Sequence, residues 1–380
     1  MADWRRALAE LTGEIRGEVA AHVRAARLGG EATQIVAPYH GYGTPDRWHV
    51  IGRALRSAPL PPARAEDSPL RNLASMYRRL ESDPLPHAEI VVRAAGTERR
   101  VVADDEGFVQ AWLTPAARTE ADWHEAELEL VAPRVDGAET PRARARIRVP
   151  GARARFVVVS DVDDTVLRSN ISSFVQAART ALFSNARTRL PFPGVAAFYR
   201  ALERGAAGDE ANPIFYLSSS PWNLFDVIAE FLDVQRLPAG PILLRDWDMS
   251  LDVLGRGRLA RFKQRHLAEL LALYPSLPFI LVGDTSQHDP EIYAEAVHAH
   301  PRRVLAVYIR DVSRHPERSA SLGRLAHELE RAHVPLVLSH DTLGAARHAA
   351  DRGWIEPAAL REIAEDAAQD EGTGGGTRGG

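Results

Sequence analysis

FVVVSDVDDTVLRSN, Phe156–Asn170, runs from four apolar residues, Phe156 to Val159, through Ser160 into three aspartates, Asp161, Asp163 and Asp164. A short apolar run bounded by polar residues has the form of a fully buried strand. A buried strand that ends in this much negative charge delivers it to one point. Carboxylates at close quarters repel one another and their pKa values rise, unless a cation holds them ionised. Hard Mg²⁺ suits such a place, because a few oxygen ligands suffice when waters and a substrate phosphate complete the octahedron.

Downstream of this stretch, apolar runs alternate with helical patterns. FVVVS, PIFYLS, PILL, PFILVGD and RVLAVYI read as strands; residues 171–184, residues 194–204, PWNLFDVIAEFL, the stretch around Lys263 and one from Pro290 read as helices. That alternation predicts an α/β unit with a parallel sheet covered on both faces, whose site lies at the carboxyl ends of the strands. Three such ends carry polar groups: Asp161, Asp163 and Thr165; Ser218, Ser219 and Ser220; and Asp284 in LVGDTSQHD. Asp161 and Asp284 are the expected protein ligands of the metal, with the backbone carbonyl of Asp163 as a third.

Upstream, residues 3–27 carry Trp4, Leu8, Leu11, Ile15, Val19 and Val23 at helical spacing, which predicts an amphipathic helix. From there to residue 150 the texture is short β-type runs (TQIVAPY, RWHVIGRAL, AEIVVRA, ELELVAP, RARIRVP) between Gly and Pro turns, interrupted by one helical piece, RNLASMYRRL. This predicts an antiparallel β-sandwich. The expected division is an N-terminal helix over 1–30, a sandwich over 31–150, a catalytic domain over 151–366 and a disordered Gly-rich tail over 367–380.

The bulk composition excludes several classes. A chain of 380 residues with 45% hydrophobic and 26% charged residues is ordinary for a soluble protein of two domains. A formal net charge of −4 gives no bias toward nucleic acid, and none is expected as a partner. With no cysteine there is no disulfide, thiol nucleophile or thiolate metal site. The N-terminal stretch MADWRRALAELTGEIRGEV lacks the apolar core of a signal peptide and no 18-residue apolar run occurs, so a cytoplasmic location is expected, with a peripheral membrane surface left open. Of the 47 basic residues 46 are arginine, and Lys263 is the single lysine.

Other motifs fail on inspection. An EF-hand needs Gly where Val166 sits and Glu where Ser172 sits. LSSSPWN lacks the G-x-S-x-G of a serine hydrolase. GRGRLA, from Gly255, formally matches a dinucleotide fingerprint, but no clear strand precedes it and no acid follows about 20 residues on. No P-loop is present. A lone DxDxT after a strand also serves as a turn or a helix cap.

Taken together and in order, SDVDDTVL, FYLSSSPWNLFD, Lys263 and FILVGDTSQHDPEIY resemble the four motifs of the haloacid dehalogenase superfamily. SSSPWNLFD, ILLRDW, GDTSQHDPEIY and RVLAVYIRDVS, with HGYGTPDRWHVIGRAL upstream, resemble more closely the actin-patch phosphatidate phosphatase family and its bacterial relatives. The resemblance covers roughly residues 35 to 350. It implies a Rossmann-like catalytic domain, Mg²⁺-dependent hydrolysis of a phosphomonoester, and phosphatidate as the substrate of the fungal members. It further implies that Asp161 attacks phosphorus, forming an aspartyl phosphate, and that Asp163 protonates the leaving oxygen and later deprotonates the hydrolytic water. Ser218, or Ser219 or Ser220 in its stead, holds the phosphoryl group, with Thr165 and Asn223 as further substrate contacts. Lys263 neutralises the phosphoryl group and the nucleophile. Asp284 binds Mg²⁺, and Asp289 either orients Lys263 or supports the metal, so that the metal set comprises Asp161, Asp163, Asp284 and Asp289. Two other functions stand beside phosphatidate hydrolysis: the same chemistry on a soluble phosphomonoester, and a protein or membrane adaptor with a vestigial phosphatase fold.

Two weaker signals complete the reading. RARARIRV places Arg142, Arg144, Arg146 and Arg148 on one strand face, either for anionic lipid headgroups or as a solvated face that protects a sheet edge. NISSFVQAARTALFSNARTRL offers Phe174, Leu182 and Phe183, either as helix core or as contacts to acyl chains.

Overall fold

The computed structural model describes residues 33–57, 83–135, 137–162, 193–222, 225–245, 256–285, 288–310, 316–339 and 341–375. The expected helices over 1–30, RNLASMYRRL and 171–184 lie outside them.

Among the described residues nine strands precede residue 150: β1 (Thr33–Pro38), β2 (Gly41–Thr44), β3 (Arg47–Ser57), β4 (Asp83–Pro84), β5 (Glu89–Ala94), β6 (Thr97–Val102), β7 (Phe108–Leu113), β8 (Trp123–Ala132) and β9 (Arg142–Arg148). Period-2 alternation decides their faces: in β9 Arg142, Arg144 and Arg146 are exposed while Ala145 and Ile147 are buried. The long β3 uses both its edges, pairing with β2 and β1 along one and with β7 and β4 along the other. From β2 the ladder continues through β9, β8 and β5 to β6. The strands close around one apolar core that includes Val50, Ile90, Val109, Leu128 and Ile147.

The sheet is antiparallel, as expected, except at one pair. A single ladder runs through β3 and β2, and β2 pairs with β9 in parallel. The tight β2–β3 turn returns the chain at once, leaving the free edge of β2 to a strand from much later in the sequence.

After residue 156 six strands of the described residues pair in parallel throughout: β10 (Val157–Asp161), β11 (Ile214–Pro221), β12 (Ile242–Arg245), β13 (Phe279–Asp284), β14 (Val304–Arg310) and β15 (Leu336–Ser339). All five residues of β10 are buried, as expected of a central strand. The helices are α1 (Val195–Arg204), α2 (Phe225–Val234), α3 (Arg256–Leu273), α4 (Asp289–Ala299), α5 (Pro316–Arg331), α6 (Thr342–Asp351) and α7 (Ala359–Gly375). The strand order β12-β11-β10-β13-β14-β15 reverses direction between β10 and β13. Such a switch point leaves a crevice beyond the carboxyl ends of the two strands.

The two sheets share apolar contacts. Tyr39, Tyr42, Ile51 and Phe108 of the N-terminal strands and turns belong to the same buried cluster as the parallel sheet. The Tyr274 hydroxyl donates to the carbonyl of Gly43 at 3.1 Å, and the buried Arg148 donates to the carbonyls of Asp122 and Ala211. Among the described residues no helix is long and apolar enough to cross a membrane.

The tail expected over 367–380 is corrected in its first part, because α7 runs on to Gly375. Those residues have work to do there. Gly194, at the N-cap of α1, has no side chain with which to cap it and a φ of 78°. The Asp370 carboxylate accepts from its amide at 2.9 Å, and Asp366 accepts from that of Ala197 at 3.2 Å. The C-terminal helix thus satisfies donors that α1 leaves open.

Candidate active site

The crevice at the switch point is built from strand ends. Asp161 closes β10 and Asp284 closes β13, one and two residues beyond the last paired positions, Ser160 and Val282. Ser218 follows Leu217, the partner of Asp161 in the β10–β11 ladder. Asp161, Asp284 and Ser218 are all buried. Lys263 reaches in from α3, and its ammonium lies 2.6 Å from Asp161 Oδ1 and 2.7 Å from Asp289 Oδ1. None of these three side chains is more than 2% exposed. Removing one partner from such a group would leave a buried charge uncompensated.

Asp289 opens α4, where a carboxylate is favoured by the free amides and the helix dipole. Its second oxygen takes a long 3.5 Å bond from the Asp284 amide. One carboxylate thereby links Lys263 to the backbone of the β13 end. Gly283 makes this possible: a Cβ there would lie 2.7 Å from Asp289 Oδ2 and 3.0 Å from the Tyr293 ring. Asp289 accepts from the Lys263 ammonium at 2.7 Å.

Two tyrosines that no sequence motif singles out lie behind the crevice. Ser160 Oγ donates to the Asp161 carbonyl at 2.9 Å and lies 2.6 Å from the Tyr199 hydroxyl. The serine proton is committed to the carbonyl, so Tyr199 is the donor to Ser160. Burial, aided by the charge of Asp161, holds the Tyr199 phenol well above its usual range, so it keeps that proton. Tyr293 donates to the Val282 carbonyl at 2.9 Å. Its phenol too is pushed up, by burial first and then by Asp289, Asp161 and Asp284. Nothing in the spacing of FYRALER or EIYAEAV marks either residue, since a helical tyrosine on an apolar face is ordinarily core.

The structure therefore brings together Asp161, Lys263, Asp284 and Asp289, with Ser218 on the neighbouring strand end. Ser219 and Ser220 continue β11. Asp163, Thr165 and Asn223 lie outside the described residues, as do Phe174, Leu182 and Phe183. His288 sits exposed at the N-cap of α4.

Among the described residues no three His, Cys, Asp or Glu side chains converge as a metal cage. The donors at hand are carboxylate oxygens of Asp161 and Asp284, with Lys263 shared between Asp161 and Asp289. Such a sparse all-oxygen set fits Mg²⁺, which binds through one or two carboxylates and keeps its waters.

Residues 156–311, from just before β10 to just past β14, match the family model described as the catalytic domain of phosphatidate phosphatase APP1. Phosphatidate phosphatase APP1 of Saccharomyces cerevisiae is 26% identical over 197 residues, which cover 50% of this chain and 32% of that protein. An uncharacterised protein of Schizosaccharomyces pombe, C29B5.04c, is 28% identical over 157 residues, covering 41% of this chain and 25% of the relative. The matched stretches thus span only a third and a quarter of the curated relatives. Among solved structures, a carbohydrate acetylesterase from Xanthomonas citri aligns over 86% of this chain and 73% of that one, at 13% identity and a TM-score of 0.28, too loose a likeness to bear on the fold.

Proposed function

We propose that this chain is a haloacid-dehalogenase-type phosphatase that hydrolyses phosphatidate to diacylglycerol and phosphate. The observation that carries the reading is the Lys263 ammonium held between the buried carboxylates of Asp161 and Asp289 at a switch point of the parallel sheet. It lies within the segment that matches the catalytic domain of phosphatidate phosphatase APP1. The reading includes peripheral contact with the membrane that carries the lipid.

In this mechanism an Asp161 carboxylate oxygen bonds to phosphorus as the ester oxygen leaves, giving an aspartyl phosphate. Asp163 gives its proton to the departing alkoxide, then takes one from the water that attacks the acyl phosphate, and phosphate departs with Asp161 regenerated. Lys263, fixed by Asp289, neutralises charge on the phosphoryl oxygens and keeps the nucleophile ionised. The Ser218 hydroxyl donates to a phosphoryl oxygen. Mg²⁺ held by Asp161 and Asp284, with the Asp163 carbonyl, would supply further neutralisation of the phosphoryl charge. Positioning and charge neutralisation account for most of the catalysis such a site can give.

The test is phosphate release from phosphatidate in mixed micelles, set beside a panel of soluble phosphomonoesters, with Mg²⁺ and with chelator. Mg²⁺-dependent release favouring phosphatidate is expected. Equal or better kcat/KM on a sugar phosphate would move the substrate to the soluble class. No release from any ester would leave the adaptor reading.

A further inference from the structure

The end of β11 carries the three serines, and it is where the parallel ladder loses its regularity: the register with β12 shifts between Leu217 and Pro221. Where a ladder slips, fewer regular backbone bonds fix the strand and its side chains can be re-aimed. The position of Ser218 then depends on what anchors the residues just after it. Trp222 is that anchor, buried to 8% exposure. Around its ring stand Tyr39 at 4.9 Å, Phe108 at 5.7 Å and Phe225 at 6.1 Å between centroids. Phe225 is local, at the start of α2, whereas Tyr39 and Phe108 come from the nine-stranded sheet.

Tyr39 is itself well held. It sits in the turn between β1 and β2, where its amide donates to the Ile51 carbonyl at 3.1 Å. Its ring meets Phe225 at 4.4 Å and Phe108 at 6.3 Å, and the Arg53 guanidinium covers the Phe108 ring at 4.5 Å. The next residue, His40, lies with Nδ1 3.1 Å from the Gly240 carbonyl, at the entrance to β12, the strand with which β11 pairs. One turn of the N-terminal sheet therefore holds both the end of β11 and the start of its neighbour.

We infer that Tyr39 is a positioning residue for the phosphatase site: through Trp222 it fixes the strand end that presents Ser218 to the phosphoryl group. On this inference, which rests on the phosphatase reading, the turn that carries Tyr39 supports the site, so the nine-stranded sheet is not a separable targeting module. Displacement of a catalytic group by about 1 Å can cost as much as 10²-fold in rate, and loss of the Tyr39 ring would open that much room beside Trp222.

The experiment uses the full chain with Mg²⁺ and p-nitrophenyl phosphate, which has no lipid to engage a membrane surface. It compares wild type, Tyr39→Ala, Tyr39→Phe and Ile90→Ala, the last a core truncation in the same sheet remote from Trp222. Each is assayed well below its melting midpoint, with inhibition by orthovanadate as a second readout of phosphoryl-site geometry. Tyr39→Ala is expected to lower kcat about tenfold or more and to weaken vanadate inhibition in parallel. Tyr39→Phe should restore both to within about twofold, since the ring is kept. Ile90→Ala should lower the melting midpoint and leave kcat and vanadate inhibition near wild type. A Tyr39→Ala enzyme with wild-type kcat, or one whose losses Ile90→Ala reproduces, would overturn the inference while leaving the phosphatase reading intact. A wild-type chain inactive on every phosphomonoester would overturn the phosphatase reading itself.

Discussion

In the nine-stranded sheet Arg93 lies among Glu98, Glu127 and Glu129, while Arg142 and Arg144 meet Glu129 and Glu125 across the β8–β9 ladder. In the six-stranded sheet Lys263 lies between Asp161 and Asp289. Both set carboxylates against cations, but apart from the buried Glu129 the first set lies on long side chains at the surface, and the second is sealed in a crevice. Exposed pairs are worth about 0–1 kcal/mol each and are screened by salt. Their use here is register and solubility, because a cross-strand pair favours one alignment. The buried trio is costly to desolvate, and its one ammonium is set against both carboxylates. Its natural reading is chemistry, and the predictions below test that contrast, beginning where the effect should be greatest.

Asp161→Asn should reduce phosphate release by about 10³-fold or more, as loss of a nucleophile commonly does. The amide is a poor nucleophile, and it also leaves the Lys263 charge with one carboxylate fewer. Single-turnover assays with labelled substrate, trapping any protein-bound phosphate by acid quench, would check it. Activity surviving at a tenth of wild type would end the covalent mechanism.

The nine-stranded sheet also holds a titratable group away from water. His49 is buried between Tyr42 and Trp112, stacked on the latter at 4.5 Å. Its pKa is lowered from 6.5 to about 4, by burial first, with Arg47 and His266 adding to the effect against a hydrogen bond with Gln110 that raises it. The folded chain keeps the ring neutral where the unfolded chain would protonate it. Stability from this residue is therefore whole above pH 6.5, falls as the pH drops toward about 4, and is lost below that. The full swing is about 3 kcal/mol. Urea unfolding at neutral pH and near pH 4.5 should show a smaller acid loss in His49→Phe than in wild type, and equal losses would exclude the assignment.

Lys263→Arg keeps the charge and tests whether charge is all the buried trio needs. An ammonium is compact enough to sit within 3 Å of both carboxylates, whereas a guanidinium is a wide planar fork that wants a different set of acceptors. A fall in kcat of about tenfold, roughly 1.4 kcal/mol, is expected, with a larger fall for Lys263→Ala. Wild-type kinetics for the arginine variant, with an unchanged melting midpoint, would show that any cation serves.

How much of this was readable from residues alone varies with the range of the interactions. FVVVSD announces a buried strand with acid at its end because the apolar run and the polar stop are adjacent. Lys263 and Asp289 could be named through motif order, and their pairing was one of two roles left open. Pairing order was not legible: alternation in GYGT and RARARIR reports which face is buried but not that β2 lies parallel to β9. Tyr199 and Tyr39 were missed for the same reason. Their roles come from partners 39 residues away in the first case and from Trp222 on the other sheet in the second. The helical continuation to Gly375 was hidden because its glycine-rich composition argues for coil, while Asp366 and Asp370 are engaged by α1.

The smallest effect is expected at Arg142, Arg144, Arg146 and Arg148, the stripe that the sequence leaves open between lipid headgroups and a solvated sheet edge. As a lipid-binding stripe they would supply roughly 1 kcal/mol per charge near an anionic surface. The fold disposes of them otherwise. Arg142 lies 3.1 Å from Glu129 and Arg144 lies 3.7 Å from Glu125. Arg146 covers the Trp123 ring at 4.3 Å, and Arg148 is buried against backbone carbonyls where the two sheets meet. The strand presents its positive charges beside glutamates of β8, so an approaching phosphate meets a field close to cancelled. The double variant Arg142→Ser, Arg144→Ser should change unfolding stability by less than about 1 kcal/mol and leave binding to phosphatidate-containing vesicles unaltered. Two working headgroup contacts would instead be worth about 2 kcal/mol, near a thirtyfold loss of vesicle affinity. A loss of that size would mean that the glutamates yield to the membrane, and that the nine-stranded sheet meets lipid through the very charges it otherwise uses to hold its register.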